Sequence, residues 1–316
     1  MTHVVITGAD GFVGKNLVQH LLVHGVEGHR VTRLTLLDVG FAAAPTDVRV
    51  CQLVGNIAKA SFRQQALKEP IDIVFHLASL PGGAAERNYE LGRAVNLDAT
   101  MGLIEDLRPQ QHPPRFVFAS TIGVYGESLP PIVTEVTLPA PAISYGAQKL
   151  MGEILIADAS RRGWIQGCSL RLPGVVARPG EGAGLISAFM SQLFWKLREG
   201  QPITLPVSAA GTAWWISVRL CVENLVHAAS LDLTSLPAQR VLQMPVLHLS
   251  MGEVVQALVA RFGADREGMV GYQPDAFIQA NFASYPPLET PRALALGFKN
   301  DGDAKGLVDH TLQETG

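Results

Sequence analysis

Tyr145 and Lys149, four residues apart in the stretch SYGAQK, form the most chemically pointed pair in the chain. The run that follows, LMGEILIADASRR, has the make-up of a helix. On a helix, residues i and i+4 share a face, about 5–6 Å apart at Cβ. A phenol titrates at about 10 and is no base at neutral pH, but a fixed ammonium beside it favours the phenolate. The plainer alternative is a surface pair, with a half-buried tyrosine beside a solvated lysine. A second cluster is TGADGFVG, with Gly8, Gly11 and Gly14, at the end of the first apolar run. Glycines at a strand-to-helix turn let the backbone approach a pyrophosphate resting on the positive end of the helix. A tight turn that merely needs small residues is the alternative. A third feature is Asp38, closing the second apolar run, where a carboxylate can accept both hydroxyls of an adenosine ribose. Val39 and Gly40 supply no cation for a 2′-phosphate, so NAD is expected rather than NADP.

The elements that would position these groups alternate in a βαβ manner. β-Branched runs at 3–7, 33–38, 48–55, 71–78, 114–120 and 165–173 read as strands. Helical patterns lie between them at 14–25, 94–108 and 145–162. Near-continuous apolar strands between amphipathic helices predict an α/β fold, a doubly wound parallel sheet covered on both faces. Beyond residue 173 the pattern breaks into Pro- and Gly-rich loops, a helix near 184–199, the short strand QPITLP and a helix at 218–231. The expected division is a nucleotide-binding domain of residues 1–170, to which 212–240 return, and a smaller discontinuous substrate lobe of 171–211 and 241–316.

Bulk properties narrow the function classes. The chain has 316 residues, enough for a large core, and 47% hydrophobic content. Its net charge is −3 with Lys and Arg scattered, so no nucleic-acid partner is expected. No apolar run approaches the ~20 residues of a membrane span. HVVITG begins at residue 3, which leaves no room for a signal peptide and implies a cytoplasmic protein. Cys51, Cys168 and Cys221 show no paired spacing. Nine histidines without an HExxH or a ligand cluster imply no metal.

TGADGFVG, Asp38, HLAS at 76–79, STIGVYG at 120–126 and SYGAQK follow one another in order, and with them the chain resembles an extended short-chain dehydrogenase/reductase. The resemblance covers essentially the whole length, including ETPRALALGF near the end. It implies the Rossmann fold and NAD as cofactor. Tyr145 would be the catalytic acid/base, Lys149 its partner and the holder of the nicotinamide ribose. Thr121 would orient the reacting oxygen, with Ser120 beside it also at the substrate. Phe12 and Val13 would offer amides to the pyrophosphate alongside Gly8 and Gly11. Asn56 and Ile57 would stand by the adenine, and Leu77, Ala78, Ser79 and Asn96 would line the cofactor cleft. Pro173 would border the nicotinamide. His76 reads as a packed residue at a strand end.

Within that family, nucleotide-sugar enzymes usually carry an Arg-Asp-aromatic segment where this chain has Ala213, Trp214 and Trp215. The two tryptophans suit either a pocket wall or plain packing. TRLTLLDV, RFVFAS and LRLPGVVARPG resemble instead a branch that oxidises a small sugar acid of the D-erythronate kind at C2, giving the 2-oxo acid. Ala213 and Thr121 depart from that branch, which tends to have arginine and serine there, so a related acid is also compatible. Arg178 is the expected partner of the substrate carboxylate, followed by Arg219 and Arg87. A nucleotide-sugar epimerase or dehydratase and a non-catalytic NAD-binding regulator are the alternatives. The resemblance also implies a homodimer through the helices carrying Leu103, Ile104, Leu150, Ile154 and Leu155.

Overall fold

The structure is a computed structural model that describes residues 2–180 and 186–312. The chain divides into two compact units. The first comprises Met1–Gly126, Pro139–Leu172 and Val222–Gln243, and the second the intervening segments.

The first unit is built on a seven-stranded parallel sheet. Its strands β1 (His3–Thr7), β2 (Arg33–Asp38), β3 (Val50–Val54), β4 (Ile73–His76) and β5 (Arg115–Thr121) are joined by Gln166–Leu172 and Val241–Gln243. Across the sheet the order is 241–243, 166–172, β5, β4, β1, β2, β3. Every residue of HVVIT in β1 is buried, as a central strand covered on both faces requires. Val5 lies opposite Thr35 of β2 and Val74 of β4, and Val117 of β5 opposite Phe75 and Cys168. Because the pairs are parallel, Thr7, Asp38, His76 and Thr121 all end at one edge of the sheet, the edge where open α/β sheets bind ligands.

Helix α1 (Phe12–His24) packs Leu17 and Leu21, spaced four apart, against the sheet. The segment 89–107 is an α-helix to Arg93, a π-turn over Ala94–Asp98, then an α-helix over Ala99–Leu107. The long helix Ser144–Arg161 lies beside it. Leu103 and Ile104, expected at a dimer face, are buried against the sheet instead. Ile154 does face outward, 63% exposed, and Met151 on the same helix and Met101 are exposed as well.

The second unit is assembled from short pieces. Thr212–Ser217 pairs with Leu247–Ser250 and with Gly174–Val176. Ile203–Leu205 pairs with Val270–Tyr272, and Val133–Thr134 with Leu288–Glu289. Helices Ala188–Glu199, Met251–Phe262 and Ala304–Leu312 bury an apolar core with Trp215 and Phe194.

The unit boundaries differ from the expected ones for identifiable reasons. Residues 127–138 join the second unit through the Val133–Leu288 pairing, and 212–221 through the strand partner at 247–250. Residues 241–243 join the first as the last strand of its sheet, against Ser169–Arg171. Part of the helix expected at 184–199 falls outside the described residues; the described part runs Ala188–Glu199. No described helix is long and apolar enough to cross a membrane.

Candidate active site

At the glycine turn, Gly8 adopts φ +69°, and a Cβ there would stand 2.8 Å from the Ala78 amide nitrogen. Only a bare Cα lets β1 turn so close to the end of β4. Its amide donates to Leu37 O at 2.8 Å, tying the turn to β2. Gly11 then caps α1, with no side-chain cap and no acidic residue in the first turn. A 13-residue helix opening on Phe12 and Val13 presents N–H groups and the positive end of its dipole there. Asp38 stands at the end of β2, with one carboxylate oxygen accepting from the Asp10 amide at 2.9 Å and the other from the Val39 amide at 2.7 Å. A carboxylate has about four lone-pair directions, so a fixed Asp38 retains acceptor capacity for hydroxyls. These groups suit a pyrophosphate and a ribose diol.

A buried polar chain supports the neighbouring turn. Thr100 Oγ1 donates to Asn96 O at 2.9 Å, so it accepts from His76 Nε2, 2.9 Å away. His76 Nδ1 then accepts from the Thr7 hydroxyl at 2.7 Å, and Thr7 Oγ1 accepts the Ala78 amide at 3.1 Å. This assignment fixes the Nε2–H tautomer. Burial, reinforced by the charge of Lys149, pushes the His76 pKa down to about 3, so the ring is neutral. His76 is a fully buried tether for the Leu77–Ser79 turn.

Tyr145 sits in the first turn of the Ser144–Arg161 helix, whose first amide donates to Glu86. Gly146 lets this helix settle on the Ile122–Val124 turn, because a Cβ there would meet Gly123 O at 2.3 Å. The approach brings the phenol close to the hydroxyls of Ser79 and Thr121. Burial raises the phenol pKa, and the two neighbouring hydroxyls pull it part of the way back. Thr121 Oγ1 also accepts the Gly123 amide at 3.0 Å, which fixes its rotamer.

Lys149 is 1% exposed. Its ammonium donates to Ala119 O at 2.8 Å, lies 4.7 Å from the Phe118 ring centre and 5.9 Å from that of Tyr145. Burial lowers its pKa to about 7, against an opposing pull from Glu153.

Three other sets of expected contact residues have the following surroundings. Ser120 is 3% exposed and donates to Glu153, so it does not face a substrate. Successive strand residues point to opposite faces, and Thr121 has the open one. Asn96 is fully buried; its amide donates to Leu80 O and Gln148 and accepts from Leu80 N, so it holds the loop after Ser79 rather than touching a cofactor. Ile57 is a core residue, 7% exposed, while Asn56 caps its turn by accepting the Ala58 amide at 2.9 Å.

Pro173 and Arg178 belong to the second unit. Pro173 is buried. Arg178 is exposed; its amide donates to Ser191 Oγ at 3.0 Å and its carbonyl accepts Trp195 Nε1 at 2.8 Å. Trp214 and Trp215 are packed inside that unit, their indoles donating to Pro286 O and Leu249 O.

Comparison with known proteins agrees with this geometry. The model of the NAD dependent epimerase/dehydratase family matches residues 4–232. The chain belongs to that family. NAD is its cofactor, and the turn at Gly8–Gly11 with Asp38 fits it. Two relatives align over nearly their full lengths. A D-erythronate dehydrogenase of Cupriavidus necator is 35% identical over 99% of each chain. One of Haemophilus influenzae is 30% identical over 98% of each. Among solved structures, a nucleoside-diphosphate-sugar epimerase from Agrobacterium tumefaciens superposes with TM-score 0.92 at 30% identity, over 99% of this chain and 94% of that one. An L-threonine dehydrogenase of Clostridium difficile, at 18% identity and TM-score 0.84, shares the fold over 99% of this chain and 97% of its own.

Sequence reasoning missed several residues around the family's motifs. Arg63 clamps the turn after β3, donating to Ile57 O and Ala58 O and pairing with Asp106 at 2.7 Å. Glu153 and Arg171 form a buried pair at 2.7 Å. Glu153 was legible in principle: an acid four residues beyond Lys149 shares its helix face.

The buried Lys149 has a stability consequence with a definite sign. Its folded pKa of about 7 lies below the ordinary lysine value of 10.5. The unfolded chain therefore binds more protons between those values, and the burial penalty, full below pH ~7, shrinks as pH rises toward ~10. Lys149→Met is expected to melt higher than wild type at pH 7, by about 2–5 °C, with the gain fading at alkaline pH. Thermal melts from pH 6 to 10 check this, and a variant that melts lower throughout contradicts it.

Proposed function

We propose that this family member is an NAD-dependent dehydrogenase that oxidises the C2 hydroxyl of a small sugar acid, D-erythronate or a close relative, to the 2-oxo acid. The observation that carries the reading is Tyr145 in the first turn of its helix, its ring 5.9 Å from the ammonium of the buried Lys149 and its hydroxyl near Ser79 and Thr121. Two relatives aligned end to end and named D-erythronate dehydrogenase support the substrate class.

In this reading the two hydroxyls hold the substrate oxygen beside Tyr145, whose phenolate removes its proton. When bound, the nicotinamide supplies the hydride acceptor. Ser79 and Thr121 favour the phenolate by donating to it, and the ammonium of Lys149 adds to that where it is charged. Gly8, Gly11, Phe12, Val13 and Asp38 hold the dinucleotide, with Leu77 and Ala78 beside them. Residues of the first unit thus form the nucleotide-binding domain, and the second unit supplies the substrate lobe with Pro173 and Arg178.

Tyr145→Phe keeps the ring and removes the ionisable oxygen. Turnover is expected to fall by at least about 10²–10⁴ while NAD still binds. The check is absorbance of reduced nicotinamide when enzyme and NAD meet a panel of C4 to C6 aldonates and uronates. Comparable turnover in the variant would sink the assignment. The Agrobacterium neighbour's name supports a second reading, epimerisation of a nucleotide sugar. Ala213, buried where nucleotide-sugar enzymes of this family usually have arginine, weighs against it. Conversion of a nucleotide sugar without net NADH in the same assay would favour it.

Arg178 is proposed to pair with the substrate carboxylate, since a guanidinium grips two oxygens at once. Arg178→Ala should raise KM for the acid at least about tenfold and leave NAD affinity unchanged; equal KM values shift the role to Arg219. The outward Met101, Met151 and Ile154 support a homodimer, for which light scattering at micromolar concentration should give twice the chain mass rather than the mass of one chain.

A further inference from the structure

Three elements of the first unit meet in one buried cluster. Ser120, on β5, donates its hydroxyl to Glu153 Oε1 at 2.5 Å. Arg171, on the 166–172 strand, donates through Nε to Glu153 Oε1 at 2.9 Å and through Nη2 to Oε2 at 2.7 Å. Glu153 is on the helix of Tyr145 and Lys149, and all three residues are at most 7% exposed. The Arg171 guanidinium also stacks 5.0 Å from the Tyr125 ring centre, and its carbonyl accepts Gln243 Nε2 at 3.2 Å. Burying such a pair costs several kcal/mol of desolvation per ion, and apolar residues of the same shape often serve stability as well or better. Stability alone is therefore a poor account of it.

Its placement suggests a different account. Ser120 is flanked by Ala119, whose carbonyl takes the Lys149 ammonium, and by Thr121, whose hydroxyl meets the Tyr145 phenol. Glu153 lies one helical turn beyond Lys149 and two beyond Tyr145. A bond between Ser120 and Glu153 thus sets the height of the helix against β5, while Arg171 aims the carboxylate. We propose that Glu153, held by Ser120 and Arg171, is a positioning residue that keeps Tyr145 and Lys149 in register with Thr121 and Ala119. The proposal rests on Tyr145 being the reacting base. Loss of register loosens the hydroxyl contacts on the phenol, and a misplacement of about 1 Å costs about 10²-fold in rate.

Electrostatics supports the same role. The groups facing Lys149 are Tyr145 and Glu153 on its own helix, neutral His76 from β4, and the Phe118 ring and Ala119 carbonyl from β5. Of these, Glu153 supplies the negative charge that opposes loss of the ammonium proton, with Arg171 behind it.

The test compares full-length wild type, Ser120→Ala, Ser120→Thr, Glu153→Gln and Tyr145→Phe. Two quantities are read: the tyrosinate absorbance titration after subtraction of the Tyr145→Phe curve, and kcat, KM and NAD affinity with D-erythronate. In Ser120→Ala the Tyr145 midpoint should move to higher pH, because Ser79 and Thr121 no longer hold the phenolate. There kcat should fall about tenfold with KM and NAD affinity within about twofold, and Ser120→Thr should recover most of it. Glu153→Gln should lose about 10²-fold in kcat, and the alkaline limb of its pH profile should move to lower pH as Lys149 deprotonates sooner. If Glu153→Gln does not fold, Ser120→Ala decides, since it leaves the Glu153–Arg171 pair intact. An unchanged Tyr145 midpoint with kcat within about twofold of wild type, whatever the melting temperature, overturns the proposal. A fully active Tyr145→Phe instead overturns the reading of the base on which it rests.

Discussion

The ammonium of Lys149 is held where water is excluded, and most of the candidate site is a response to that. An aliphatic stem ending in a charge needs an acceptor, and the carbonyl of Ala119 provides one at 2.8 Å. It needs a polarisable wall, and the face of Phe118 is one. Burial keeps the neighbouring His76 neutral, the lysine charge adding to that, and the ring spends both nitrogens on threonine hydroxyls. The same burial that draws the lysine pKa to about 7 raises that of the neighbouring phenol. Amine and phenol, which titrate close together when solvated, are thereby moved apart in proton affinity: the amine gives up its proton more readily and the phenol less.

How much of this was legible in the sequence depends on the range of the contact. Six of the seven strands of the first unit's sheet were, because Val, Ile and Leu runs such as HVVIT and RLTLLD carry their own evidence of two-sided burial, while the three-residue edge strand Val241–Gln243 was not. So was the pairing of Tyr145 with Lys149, which lies within one helical turn. What sequence order hides is the partner across elements. Ser120 and Thr121 look interchangeable in STIGVYG, yet strand alternation aims one at Glu153 and the other at Tyr145. Asn96 looks like a cleft residue until the Leu80 backbone is seen to use its amide on both sides. The Arg63 clamp on the 57–58 turn spans 43 residues to Asp106, and no spacing rule announces it.

The second unit was harder to read for a related reason. Its strands are two to six residues long and pair with segments far away in sequence, as Val133–Thr134 does with Leu288–Glu289. A two-residue strand has no periodicity to detect. Trp214 and Trp215, neighbours on one strand, both proved internal, each satisfied by a backbone carbonyl of its own unit. Aromatic pairs with polar tips look the same in a sequence whether they wall a pocket or fill a core.

The π-turn over Ala94–Asp98 puts one surplus residue into the helical stretch that contains Asn96. A helix advances about 100° per residue, so the parts before and after the turn are out of phase by roughly that angle relative to an uninterrupted α-helix. The surplus is what allows Asn96 to aim at Leu80 while Leu103 and Ile104, further along, remain aimed at the sheet. A single-residue deletion in 94–98 would heal the hydrogen-bond ladder and yet misdirect one of these two faces. Regularity of the helix and support for the loop after Ser79 are thus mutually exclusive here, and the fold retains the irregularity.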